Sequence, residues 1–335
     1  MTYEEFKKAV LEMLPEYLPE DIGANLTTRT VMSTNDTIRE AITPGVGPNG
    51  GTAPVIYLTD IYKDFVEKDA AIEDVCKALA NTVMTAREQT PEMESISSQI
   101  VPESVFPALI NLERNKEYLK SIPHLVLGDL AIVYKIPVSD ERMGEGMVTV
   151  NENVMKQIGL SEDRLHEVAY DNMLSKNLLK IQGIETVLGF MDDHGESRLP
   201  ISFDDLSALS MDSPMYVISN DQKFWGDGMI MADKNIEKLA EALQSSVVFI
   251  PSSIHEILAV PDNSPDLVGN CLRMVVDVNS TMDPKEVLSD SIYRYDRERG
   301  ALEMHRQDGT VKDIEIETPD EPLDAGSKKM TDHVR

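Results

Sequence analysis

Five consecutive residues, Ser252-Ser253-Ile254-His255-Glu256, bring together two hydroxyls, an imidazole and a carboxylate. In a hydrolase, Ser253 would attack, His255 would take its proton and Glu256 would orient the ring. On an extended strand Ser253 and His255 would share a face and Glu256 would point away. On a helical turn Ser252, His255 and Glu256 would lie together. The same spacing has a second reading. Ser253 and Glu256 stand three apart, as in a capping box, where hydroxyl and carboxylate satisfy free backbone N–H groups. The stretch follows Pro251 and separates the apolar runs 247–250 and 257–260, where a tight connection needs side chains to bond the backbone. A hydrolase also needs an oxyanion hole and usually a glycine-flanked nucleophile turn. The nearest glycines are Gly228 and Gly269. A structural turn is the expectation, with Ser253, His255 and Glu256 as the competing catalytic set.

Other motifs stop short of completion. His166-Glu167 and His255-Glu256 each begin a zinc-protease pattern, which requires a second histidine four residues after the first. Those positions hold Tyr170 and Ala259. No metal is expected. "GVGPNG", residues 45–50, matches a dinucleotide loop in letters only. Pro48 interrupts it, and it runs into the extended segment "TAPVIYL" rather than a helix, so no cofactor is expected. Trp225, the single tryptophan, sits in the polar stretch "KFWGDG" and is a candidate binding anchor, or else a partly buried one. Cys76 and Cys271 fall on apolar helical stripes and read as buried thiols.

Charge limits the partners. Lys and Arg total 31 against 59 Asp and Glu, a net charge of −28. Such a surface repels nucleic-acid phosphates and anionic membranes. It would attract a basic protein or could mimic the charge of DNA, and solubility alone also accounts for it. The N-terminal "MTYEEFKKAVLEML" has no basic segment leading into an apolar run, and no apolar stretch reaches about 20 residues, so a cytoplasmic location is expected.

These residues must be held by elements. Thr2 and Glu5 form a capping box before an amphipathic helix. Residues 25–43 read as two strands around a turn at Asn35-Asp36. A helical stripe runs through Ile72, Val75, Cys76, Leu79 and Val83. Beyond about residue 122 the pattern becomes strand pairs followed by helices. "MYVISN", "FWGDGMIM" and "KNIEKLAEALQ" form one ββα unit, and "VVFIP", "EILAV" and "DLVGNCLRMVVDVN" form another. Asp233 caps the first helix, and Ser264 with Pro265 caps the second. "DSIYRYDRERGALEMH" is a last hairpin. The fold expected is α+β, with antiparallel sheets built from repeated ββα units and helices packed on one face. Its regions are 1–122, 123–305 and a mostly flexible acidic tail over 306–335.

The ordered segments "YEEFKKAV", "PVIYLTDIYKDF", "PHLVLGDLAIVYKI", "MYVISN", "IPSSIHEILAVP" and "VVDVNSTMDPKEVLSDSIYRYD" resemble the bacterial family called domain of unknown function 5688. The likeness runs from Tyr3 to Asp296, and "PSSIHE" and "LSDSIYRYD" are its most specific parts. The order of Ile132–Ile136, the helix at Arg164–Asn172 and the Pro251 turn is more loosely similar to domain of unknown function 1444. The resemblance implies a bacterial, cytoplasmic protein and no known reaction, so it assigns no catalytic residue. Members often carry "NGA" after the "MYVISN" segment, and Trp225-Gly226-Asp227 departs from that. The function expected is that of a non-enzymatic interaction or regulatory protein with a basic partner. The alternatives are a hydrolase using Ser253, His255 and Glu256, or an acidic DNA mimic.

Overall fold

A computed structural model describes residues 1–33, 35–43, 55–88, 96–141, 144–176, 179–189, 200–203, 205–210, 212–220, 233–253, 255–284 and 286–317. These fall into two compact units. The first takes residues 1–100 and 137–148, and the second takes 101–136 and 149–317, as far as each is described.

The first unit opens with α1 (Tyr3–Met13), capped as its sequence dictates. The Thr2 hydroxyl accepts the Glu5 N–H at 3.3 Å, and the Glu5 carboxylate accepts the Thr2 N–H at 2.8 Å. After the short α2 (Glu20–Gly23), β1 (Thr27–Ser33) and β2 (Thr37–Thr43) form a hairpin. The ladder closes at Ser33↔Thr37, and the turn between them uses Asn35 and Asp36 at φ 61° and 45°, left-handed backbone that asparagine and aspartate adopt more readily than most residues. β3 (Ile56–Tyr57) adds to β2 and leads into α3 (Leu58–Lys68), followed by α4 (Ile72–Glu88). Phe6 and Val10 of α1, Ile42 of β2 and Cys76, Leu79 and Val83 of α4 meet in one buried cluster. Phe6 also meets Tyr62 and Phe65 at tilted angles, Tyr62 stacks on Phe65, and Tyr3 meets Tyr62 edge-on, with ring centroids 5.0–6.2 Å apart.

In the second unit, β4 (Phe106–Asn111), β5 (Leu125–Leu127) and β6 (Leu130–Asp140) as far as Ile136 form an antiparallel sheet; β7 (Gly144–Thr149), which pairs with β6, falls in the first unit except for Thr149. The tip of the β6–β7 hairpin, 137–148, counts with the first unit. α5 (Lys116–Leu119) lies between β4 and β5. α6 (Glu152–Ile158) is capped by the Asn151 side chain on the N–H groups of Asn153 and Val154. α7 (Glu162–Ser175) follows, with Ser161 at its N-cap position but making no side-chain cap bond.

A second antiparallel sheet of eight strands runs in the order β15-β14-β13-β11-β12-β10-β8-β9. Its strands are β8 (Leu179–Gly183), β9 (Ile201–Ser202), β10 (Tyr216–Asn220), β11 (Val247–Ser253), β12 (Glu256–Pro261), β13 (Ile292–Asp296), β14 (Ala301–His305) and β15 (Val311–Asp313). Its helices are α8 (Ile184–Val187), α9 (Asp233–Leu243) and α10 (Leu267–Asn279). Cys271 and Val275 of α10 pack on Val248, Ile250, Val260 and Ile292, one face of the sheet. Side chains alternate along a strand, so Tyr216, Phe249 and Tyr293 point to the other face, where each is fully buried.

The architecture is α+β, and β11-β12-α10 is a ββα unit. Its predecessor is described only at β10 and α9, because "FWGDGMIM" lies outside the described residues. Three expectations change. The helix after Ser264 begins at Leu267, because Ser264–Asp266 form a turn in which the Leu267 N–H bonds the Ser264 carbonyl at 3.0 Å. A break near residue 122 would part β4 from β6, yet these pair from Phe106↔Lys135 to Asn111↔Leu130. Residues 306–317 also continue the sheets rather than trailing away. β15 pairs with β14, β16 (Ile316–Glu317) pairs with β5, and Ile314 between them is buried.

Candidate functional site

The Ser253–Glu256 segment is the connection of the β11–β12 hairpin. The ladder runs from Val247↔Pro261 to Ile250↔Leu258, shifts register, and resumes at Ser253↔Glu256, so these two residues oppose each other across the turn. The Ser253 hydroxyl, 8% exposed, accepts the backbone N–H of His255 at 3.1 Å. The His255 carbonyl accepts the Ser219 hydroxyl of β10 at 2.9 Å. A hydroxyl does serve the backbone here, as a capping residue would, but two residues ahead in a hairpin rather than three ahead in a helix. The described contact of Ser253 is with the main chain of His255, and its register partner is Glu256.

A denser polar arrangement surrounds Asp129, in the turn between β5 and β6. Its Oδ2 accepts the hydroxyls of Ser289 and Ser291 at 2.8 and 2.7 Å, and its Oδ1 accepts the phenol of Tyr293. The Ser291 N–H bonds the Ser289 hydroxyl at 2.9 Å. Burial, then the charge of Asp129, holds the Tyr293 phenol well above its ordinary pKa. Around this hub Arg114 pairs with Asp290 at 2.6 Å, Asn111 donates to the Leu288 carbonyl at 2.9 Å, and Asn279 donates to the Ser289 carbonyl and the Asp290 carboxylate. All three hydroxyls donate into one carboxylate, which ties the β5–β6 turn to β13 and the residues just before it. Sequence reasoning passed over this hub although a signal was present. Ser289, Ser291 and Tyr293 alternate, and in an extended chain that places them on one face.

Two histidines stand apart from the hairpin. The Tyr134 hydroxyl lies 3.3 Å from Nδ1 of His166, whose ring stacks on Tyr170 at 6.2 Å between centroids. Burial lowers the pKa of His166 and raises that of Tyr134, with Glu162 adding to the latter. Burial also lowers the pKa of His124, against the opposing effects of its bond to the Ile122 carbonyl and of Glu162. Both imidazoles are therefore biased toward the neutral form.

An ion-pair network crosses β12, β13 and β14. Arg294 reaches Asp262 at 2.7 Å and Asp296 at 2.9 Å, and Arg299 pairs with Glu303 and with Asp313. The Asp296 carboxyl is held below its usual range by Arg294 and by backbone N–H groups of the following turn. Beside it opens a cavity of about 490 Å³, lined by Glu237, Glu241, Tyr295, Arg297, Glu298, Arg299 and Gly300. Arg299 spends its charge on Glu303 and Asp313, while Glu237, Glu241 and Glu298 form no ion pair among the described residues.

Trp225 and the 45–50 loop lie outside the described residues. Cys76 and Cys271 are buried free thiols, and burial raises the pKa of both. Among the described residues, no three His, Cys, Asp or Glu side chains converge as a metal site would require, and no helix is long and apolar enough to cross a membrane.

No curated protein and no solved structure matches this chain. A family model described as "Family of unknown function (DUF5688)" matches residues 3–297. That span includes the Ser253 hairpin, the serines and tyrosine around Asp129, and Glu237 and Glu241 of the open cavity. The chain belongs to this family of unknown function.

Proposed function

We propose that the chain is a non-enzymatic interaction protein of the bacterial cytoplasm that docks a basic partner. The observation that carries this is the cavity at the β13–β14 turn, where Glu237, Glu241 and Glu298 outnumber Arg297 and Arg299 and form no ion pair among the described residues. Glu237 and Glu241 are four residues apart on α9, a like-charge spacing that costs a helix about 0.2–0.5 kcal/mol. A lysine or arginine placed between them would turn that repulsion into attraction. The net charge of −28 would speed the approach of a cationic protein and hold off duplex DNA. Trp225 is the candidate apolar anchor for the same contact, on the strength of its sequence setting.

Affinity purification from the native host, run in parallel with the native chain and a Glu237→Lys/Glu241→Lys variant, tests the reading. The expected result is a basic protein that co-purifies with the native chain, is lost with the variant, and associates more slowly as salt is raised. A partner indifferent to both salt and charge reversal would refute the cavity as the docking site. Ester or peptide turnover abolished by His255→Ala would replace the interaction reading with the hydrolase one.

A further inference from the structure

The first unit holds a buried cation that its fold satisfies on one edge only. The β1–β2–β3 register pairs Val31 with Arg39 and Ala41 with both Arg29 and Tyr57, so Arg29, Arg39 and Tyr57 share a face. Ile42 and Ile56 point the other way, into the core with α1. The Arg39 side chain is 4% exposed, and its guanidinium lies 4.3 Å above the Tyr57 ring. Nη1 donates to the Asp60 carboxylate at 3.1 Å. Nε and Nη2 are buried and meet no acceptor among the described residues.

Those two atoms form a unit. Nε and Nη2 are the side edge of the guanidinium fork, whose two parallel N–H bonds fit a pair of oxygens on a carboxylate or phosphate. A buried charged donor without an acceptor is costly, and native proteins rarely keep one. The location adds to the attraction. Asp60 is the third residue of α3, so Arg39 stands at the positive end of that helix. Tyr57 occupies the N-cap position and offers no side-chain cap. Thr59, one residue before Asp60, also has a buried hydroxyl without a partner among the described residues. Asp60 is 45% exposed and engages the opposite edge, leaving the side edge whole.

We propose that Arg39 anchors an oxyanion site at the N-terminus of α3, taking a phosphate or carboxylate group of a small ligand through Nε and Nη2. The site lies in a different unit from the acidic cavity and does not depend on a basic partner.

Calorimetric titration and thermal unfolding of the full chain, with inorganic phosphate and separately with acetate, against chloride at equal ionic strength, test it. Saturable binding is expected for at least one anion, with Tm raised by about 2–4 °C at tenfold excess over half-saturation. A response to phosphate assigns a phosphoryl ligand, and a response to acetate alone assigns a carboxylate. Arg39→Lys keeps the charge and loses the side edge, so it should weaken binding about tenfold or more. If neither anion differs from chloride, or if a folded Arg39→Lys protein binds equally well, the proposal fails. Should that variant not fold, crystals of the native chain soaked in selenate decide. An anomalous peak within hydrogen-bond distance of Nε and Nη2 supports the site, and its absence there overturns it.

Discussion

Removing the Asp129 carboxylate should unlock the second unit. Ser289 and Tyr293 are fully buried and Ser291 is 4% exposed, and all three hydroxyls donate to this one side chain. A buried donor left unmet costs about 1–3 kcal/mol. Three such losses would reach about 3–9 kcal/mol if none were recovered, but hydroxyls rotate, and Ser289 keeps its bond from the Ser291 N–H. We therefore expect Asp129→Ala to cost about 3–5 kcal/mol. Asp129→Asn retains one acceptor oxygen and can donate to a serine lone pair, so it should cost about 1–3 kcal/mol. A chain of two units need not unfold in one transition. Each unit carries one buried free cysteine, Cys76 in the first and Cys271 in the second. Pulsed thiol labelling across a urea series, read by peptide mass, reports the two separately. The Cys271 midpoint should fall in the order native, Asn, Ala, with Cys76 as the internal reference. A Cys271 shift worth less than about 1 kcal/mol in Asp129→Ala would refute the hub as a structural tether.

Two other outcomes are expected. Ser253→Ala removes the acceptor for the His255 N–H and should lower stability by about 0.5–2 kcal/mol in urea unfolding, whereas His255→Ala, which leaves that backbone bond in place, should cost less. His124 and His166 have lowered native pKa values, so as pH falls below about 6.5 the unfolded chain takes up protons before the native one. Their contribution is complete above that pH and is lost as pH drops toward the lowered native values. Tm should fall between pH 7.5 and 5.5, and it should fall less in a His124→Gln/His166→Gln variant; parallel curves would contradict this.

What could be read from sequence was local. The Thr2–Glu5 cap, the Asn35-Asp36 turn and the β13–β14 hairpin each depend on residues a few positions apart, and each forms as its residue types require. Ser264 and Pro265 carried the right letters for a helix start, but the turn they make displaced the helix to Leu267. The placing of a break at 122 failed for a different reason. β4 and β6 are joined by a ladder whose partners lie 19–29 residues apart, across a helix and another strand, and no periodicity in either strand announces the match. Residues 306–317 are polar because they lie at strand edges, and polarity alone suggested a tail. At Arg39 the alternating pattern of β2 marks a face, but it gives no sign that the face is sealed or that half the guanidinium stays unmet.

The pairing of β16 with β5 has a consequence during synthesis. Glu317 and Ile316 add to Val126 and Leu127, and the Tyr293 phenol that meets Asp129 comes 164 residues after it. At about 5–20 residues per second, a ribosome that has made β5 needs roughly 10–40 s more to make its last partner strand. Over that interval β5 has an unpaired edge, and the apolar strands β4 and β6 lack the segments that later close around them. The nascent second unit thus carries an edge open to pairing with other chains until synthesis is complete. A stall or truncation between β13 and β16 should yield a species that aggregates, even though nearly all of its core residues have already been made.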